Sequence, residues 1–219
     1  MRFADLAARL ANVPATLPAP AADLMPVFTG ALEARPPAFP RDPAAVRQAA
    51  VLVLLYPGSD GVARVVLTER VTRDGHHSGE VSFPGGRAEP EDADLTATAL
   101  REAAEEVALD AAAAGVTVLA ALERFWIPVS NYEVTPILAV AERRPVLVAS
   151  PDEVARIVEP PIAAFLPGAP FEMVERTIRG WPLRYGAYQV EGLSVWGATA
   201  RVLSQLGALL ASRPGRPGS

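Results

Sequence analysis

Pro84-Gly85-Gly86-Arg87-Ala88-Glu89-Pro90-Glu91-Asp92-Ala93-Asp94-Leu95-Thr96-Ala97-Thr98-Ala99-Leu100-Arg101-Glu102-Ala103-Ala104-Glu105-Glu106-Val107-Ala108-Leu109 sets a glycine pair ahead of a run with helical spacing. Leu100, Ala103, Ala104 and Val107 recur at i, i+3, i+4 and i+7. That pattern predicts a helix over 92–109 with these four as its apolar face. At about 100° per residue, Glu102, Glu105 and Glu106 fall together on the opposite face. Acids three and four residues apart repel one another, and only Arg101, four before Glu105, is placed to offset them. Such a face is either an ordinary solvated one or a set of oxygen ligands for a hard cation such as Mg²⁺ or Mn²⁺. Gly85 and Gly86 are expected to break a short strand at 81–83 in a tight turn that lets the backbone approach another group closely.

Around this stretch, apolar runs at 49–56 and 62–68 read as strands joined by the hairpin-type loop Pro57-Gly58-Ser59-Asp60-Gly61. A loop over 72–79 precedes the glycine turn. Further strands are expected at 116–122, 134–141 and 154–158, and a short helix at 160–166. A hairpin over 171–178 and 185–190 turns around Gly180-Trp181-Pro182, and a closing helix spans 195–211. Interleaved strands and helices predict an α/β (α+β) domain with a mixed sheet. Before it, 3–13 has helical spacing and 14–43 is proline-rich, a surface arm rather than a packed element. The expected organisation is therefore a helix and arm over 1–45, a domain over 46–212 and a tail over 213–219. For the arm three roles stay open: covering the sheet, bordering a pocket or building the contact of a homodimer.

Composition removes several chemistries. The chain has 219 residues, half of them hydrophobic, and a formal net charge of -5. There is no cysteine, which excludes thiol catalysis, disulfides and cysteine-held metals. There is no lysine either; all 20 basic residues are arginine, so Schiff-base chemistry and a phosphate-loop lysine are out. The two histidines, His76 and His77, are adjacent and read as exposed loop residues. An acidic chain without a basic stripe is not expected to bind nucleic acid. The longest apolar run, 49–56, is too short to span a membrane. Asp5 and Arg9 near the start argue against a signal peptide, which gives the expectation of a cytoplasmic protein.

Gly86 followed by Arg101-Glu102-Ala103-Ala104-Glu105-Glu106-Val107-Ala108-Leu109 resembles the Nudix box. That box runs glycine, five residues, glutamate, seven residues, then Arg-Glu-apolar-x-Glu-Glu-x-Gly-apolar. Here the interval from Gly86 to Arg101 is one residue longer, and Asp92 or Ala93 stands near the first acidic slot. Ala108 replaces the box glycine, which removes the residue suited to a left-handed cap and predicts a different helix ending. The stretches Val66-Leu67-Thr68-Glu69-Arg70 and Gly79-Glu80-Val81-Ser82-Phe83-Pro84-Gly85-Gly86 are similar to the signature of the coenzyme A pyrophosphatase branch. That branch carries the same extra residue, typically with an aspartate at the position of Asp92. Asn131-Tyr132-Glu133-Val134-Thr135-Pro136 and Trp196-Gly197-Ala198-Thr199-Ala200 resemble its later motifs. Two positions depart: Gly75 stands where the branch has arginine, with Arg73 as a nearby charge, and Val71 stands where it has a small residue.

The resemblance, which covers about residues 48–210, implies a Nudix fold, a mixed sheet sandwiched between helices. It also implies a Mg²⁺- or Mn²⁺-dependent hydrolase acting on a small-molecule nucleotide. The branch splits coenzyme A into adenosine 3',5'-bisphosphate and 4'-phosphopantetheine. The alternatives are another nucleoside diphosphate derivative, such as ADP-ribose or a dinucleotide, and a Nudix-fold sensor without turnover. The implied metal ligands are Gly86, Glu102, Glu105 and Glu106, with Arg101 orienting a glutamate by ion pairing. The general base is open between Glu102 and Glu105; Glu153 is a further candidate whose alternative is a helix-start or surface acid. Arg70 is either a phosphate ligand or a surface residue. Phe125, Trp126 and Tyr132 are candidates for stacking on adenine or for packing. Trp196 is expected to pack the closing helix against the sheet.

Overall fold

The computed structural model describes residues 1–14, 16–30, 45–71, 80–128, 130–178 and 180–212. The loop with Arg73, Gly75, His76 and His77, much of the proline-rich arm and the tail lie outside them.

Two long strands, β2 (Arg47–Pro57) and β9 (Tyr132–Ala141), run parallel through the centre of a six-stranded mixed sheet. On the free edge of β2, β3 (Ala63–Val65) pairs at one end and β6 (Gly85–Arg87) at the other. On the free edge of β9 the places are taken by β7 (Val116–Ala121) and β8 (Phe125–Ile127). Alternation along the central strands sorts the core. Ala50, Leu52, Leu54, Ile137 and Ala139 face helix α2 (Leu95–Val107), where Ala99 and Ala103 let helix and sheet approach closely. Val53, Leu55 and Leu138 face the other way, toward α1 (Phe3–Leu10) and α4 (Gly197–Ala211), against Leu6, Leu10, Leu203 and Leu206. The sheet is thus held between helices, as expected.

A three-stranded antiparallel sheet joins β10 (Val154–Val158), β4 (Leu67–Arg70) and β5 (Val81–Ser82). The third sheet is the hairpin of β11 (Glu172–Ile178) and β12 (Trp181–Val190), with β1 (Val27–Phe28) and β13 (Leu193–Val195) also on β12. The short helix expected at 160–166 is a 3-10 turn, Ile162–Phe165. Trp196 precedes α4 and its ring stacks on Tyr185, centroids 4.7 Å apart, which packs that helix on β12.

Several expectations are corrected. The run at 62–68 is two strands, because the chain leaves β2 after Val65 and pairs with β10 and β5 from Leu67. The short strand does end ahead of Pro84, as expected, but Gly85 and Gly86 are not a turn: they form β6, against Val51 and Ala50. The arm is not unpacked throughout: Leu24 joins the core and β1 adds to β12. The strand β8 and helix α3 (Ala111–Ala114) were not expected, since three-residue and four-residue elements leave no period to read.

Candidate active site

Helix α2 starts at Asp94, whose Oδ1 accepts from the backbone N–H of Ala97 at 2.8 Å. Its buried face is Ala99, Ala103, Glu106 and Val107, while Ala104 is exposed. The expected face is therefore rotated, and Glu106 does not stand with Glu102 and Glu105 in solvent. It is 3% exposed. Its Oε2 accepts from the N–H of Gly85 at 3.1 Å, and its Oε1 lies 3.6 Å from the guanidinium of Arg70. Burial, only partly offset by those two partners, pushes its carboxyl up to about 7.

Glu102 is half-hidden, its side chain 15% exposed. A Cβ on Gly86 would come within 2.5 Å of the Glu102 carboxylate, so a larger residue there would push that side chain aside. Gly85 is fixed by a second constraint: it has φ +154°, and a Cβ there would meet the Ala50 carbonyl oxygen at 2.4 Å. Burial raises the Glu102 carboxyl as well; Arg101 opposes this, and Glu105 and Glu153 reinforce it. Glu153 acts on Glu106 in the same sense. It lies exposed in the turn leading into β10, a surface acid rather than a helix start, and its carbonyl accepts from the N–H of Val71.

Arg101 binds Asp92 through two hydrogen bonds, Nε to Oδ1 at 2.9 Å and a terminal nitrogen to Oδ2 at 3.0 Å. It also donates to Glu102 and Glu105, each at 3.1 Å, and to the Arg87 carbonyl at 3.0 Å. Asp92 Oδ2 further accepts from the Glu89 N–H and the Thr98 hydroxyl. These bonds, the pair with Arg101 first, hold its carboxyl well below the ordinary range. Glu105 is the most exposed of the box acids, at 57%.

Ala108 ends α2 in the left-handed conformation, φ 53° and ψ 36°, with its N–H on the Ala103 carbonyl. The expected change of ending is thus corrected: alanine adopts the glycine geometry because Leu109 is drawn into the core behind it.

Phe125 and Tyr132 lie on β8 and β9, and each ring carries a guanidinium, Arg201 at 5.3 Å and Arg47 at 4.1 Å from the ring centres. The indole of Trp126 donates to Asn131. Three features escaped the sequence reading: Asp92 as the partner of Arg101, Arg70 as a partner of Glu106, and the electrostatic effect of Glu153 on half-hidden Glu102 and buried Glu106. Only the first left a signal, an acid in the extra residue of the box.

Hard oxygen donors suit a divalent ion, and two half-hidden or buried carboxylates with raised pKa beside a glycine backbone fit one. Among the described residues, no three acid or histidine side chains already converge enough to hold an ion. Like charges separate and take arginine partners instead, Glu105 with Arg101 and Glu106 with Arg70. Among the described residues no helix is long and apolar enough to cross a membrane.

A family model described as the NUDIX domain matches residues 46–171. The chain is 34% identical over 174 residues to Nudix hydrolase 15, mitochondrial, of Arabidopsis thaliana, a match covering 77% of this chain and 60% of the relative. It is also 34% identical over 183 residues to the Nudix hydrolase NudL of Shigella flexneri, covering 81% of this chain and 90% of that one. The chain spans 60% and 57% of the lengths of the two plant relatives it matches. Among solved structures, the Nudix hydrolase RenU of M. smegmatis is similar over 54% of this chain and 72% of its own, at 23% identity and a TM-score of 0.44.

Proposed function

The chain belongs to the Nudix hydrolase family, and from that premise we propose that it is a divalent-metal-dependent pyrophosphohydrolase of coenzyme A or its derivatives, releasing adenosine 3',5'-bisphosphate and 4'-phosphopantetheine. The observation that carries the hydrolase reading is the pair of sequestered carboxylates, Glu102 and Glu106, set against Gly86 and Gly85. The Asp92–Arg101 clamp supports the branch, because it gives the extra residue of the box a function.

In this reading Glu102, Glu105, Glu106 and the Gly86 carbonyl hold Mg²⁺ or Mn²⁺. Such an ion neutralises phosphate charge and makes water a stronger nucleophile at neutral pH. Arg101 is a positioning residue: bound to Asp92 on one side, it aims Glu102 and Glu105 with the other. Glu153 takes the proton of the attacking water at its carboxylate, since its charge is felt by both Glu102 and Glu106 and it belongs to a different element. Arg70, half-exposed beside Glu106, is free to turn to a phosphate oxygen once that carboxylate is engaged. Phe125 and Tyr132 border the nucleoside. A cytoplasmic setting and a homodimer belong to the same proposal.

Gly75, standing where the branch carries arginine, favours a second reading in which the substrate is ADP-ribose or a dinucleotide. A panel of coenzyme A, its acyl and oxidised forms, ADP-ribose and dinucleotides, each with Mg²⁺ and Mn²⁺ and with product masses measured, decides between them. The proposal expects coenzyme A forms to be cleaved fastest. Faster cleavage of ADP-ribose or a dinucleotide would move the assignment, and no cleavage of any member would leave a sensor.

A further inference from the structure

The hairpin of β11 and β12 is covered on one side and bare on the other. On the far side of β12, the two-residue strand β1 pairs with it. Among the described residues no strand pairs with the outer edge of β11, although its seven residues are in unbroken register with β12. A regular edge without proline or bulge is a template for a further strand. Phe171, just ahead of β11, and Met173 on it are 37% and 45% exposed, unusual for large apolar side chains. Glu175 and Arg176 make no hydrogen bond or ion pair among the described residues.

The hairpin decides which backbone groups this edge offers. Two residues separate Ile178 from Trp181, which pair directly, and the residues flanking a two-residue loop bond to each other. Alternation then commits the N–H and C=O groups of Glu172, Val174, Arg176 and Ile178 to β12. Those of Met173, Glu175 and Thr177 point outward. Pro182, opposite Thr177, agrees with this phase: it has no N–H to donate, and its carbonyl accepts from the N–H of Thr29 on the other side of β12, at 3.0 Å.

We infer that the outer edge of β11 pairs antiparallel with the same edge of a second copy of the chain, centred on Val174. A two-fold axis through an antiparallel pair sets one residue opposite its own copy. With Val174 at that place, Met173 and the partner's Glu175 exchange both of their outward backbone bonds, and the axis repeats the exchange. Glu172 then stands opposite the partner's Arg176, in the non-hydrogen-bonded position where side chains across a pair come closest. Glu172 accepts from Gln189 through one oxygen, at 3.0 Å, and keeps the other for an arginine. Centring on Glu175 or Arg176 instead would oppose like charges, and centring on Met173 would put Glu172 against Val174. The inference gives the proposed homodimer its surface, and it rests on that part of the proposed function alone.

The test is sedimentation equilibrium of the full chain at up to about 200 μM, which captures the micromolar affinity of a small interface. Wild type should dimerise. E172R and R176E should each weaken the dimer by about tenfold or more, since each sets like charges opposite one another on both sides of the axis. An equimolar mixture of the two variants should recover the wild-type affinity, because both contacts in the heterodimer join opposite charges. A monomeric wild type, single variants as tightly dimeric as wild type, or a mixture no tighter than its components would overturn the inference. Should a charge variant fail to fold, cysteine cross-linking decides, in a chain that has no cysteine of its own. Mild oxidation should link V174C into a covalent dimer and leave T177C monomeric; equal linking of the two, or none, would overturn the inference. Turnover of coenzyme A with Mn²⁺ is measured on the same wild-type preparation. No product there sinks the pyrophosphohydrolase reading, whereas turnover by a monomer sinks only the pairing of β11.

Discussion

Asp92 grips Arg101 on two oxygens, at 2.9 and 3.0 Å, and in doing so fixes a cation that touches both Glu102 and Glu105. Asp92 lies outside the helix that carries the acids, in the loop that leads from β6 to α2, whereas Arg101 is part of that helix.

Residues one step removed from metal ligands govern how well those ligands are aimed, typically by about 10- to 100-fold in affinity or activity. D92N keeps the shape and removes the charge. It is expected to raise the Mn²⁺ concentration for half-maximal turnover by about that factor, with the circular dichroism spectrum unchanged. A variant with wild-type metal dependence would show that Arg101 holds its place without Asp92.

The acids of α2 give the metal-free protein an unusual pH response. Glu106 keeps its proton up to about 7 when folded but only to 4.5 when unfolded, so between those values the folded chain binds more protons. Glu102 shifts in the same direction. The stabilisation is fully present below 4.5 and is lost as pH rises through 7. The opposite contribution of Asp92 is lost only below its ordinary value of 3.8. Thermal melts in chelator are thus expected to show Tm rising as pH falls from 8 to 5, and E106Q should flatten that slope. A Tm that falls steadily over this range would contradict the buried placement of Glu106.

Glu153 bears on Glu102 and Glu106 from a separate element, the turn before β10. E153Q is expected to lower kcat by about 100-fold or more, the scale of general base catalysis, with Mn²⁺ affinity unchanged. A kcat within a few-fold of wild type would return the role to Glu102 or Glu105.

Ala108 occupies a conformation that costs a side-chain-bearing residue about 1 kcal/mol or more and glycine little. A108G should therefore stabilise the protein, raising Tm by about 2–4 °C for each kcal/mol in a chain of this size. A lower Tm in A108G would show that the φ of 53° at this position is not strained.

The central strands were legible because β2 and β9 are long and their apolar runs have no competing period. The box was legible because its spacing is fixed by chemistry. What the sequence concealed was phase and partnership. The face of α2 was misjudged because Ala104 counts as apolar although it is exposed, while Glu106 counts as polar although the sheet covers it. Glycines in β6 read as a turn, yet they serve as a strand that must pass under the Glu102 carboxylate. The pairing of Arg70 with Glu106 and the approach of Glu153 join segments far apart in the chain, which no local pattern encodes.

The central claim is that Glu102 and Glu106 grip a divalent ion beside the glycine strand. A titration of Mn²⁺ followed by electron paramagnetic resonance, in wild type, E102Q and E106Q, tests it most directly. The account predicts saturable binding in the wild type that is lost or weakened by about 100-fold or more in either variant, with both variants still folded. Equal binding by all three proteins would contradict it.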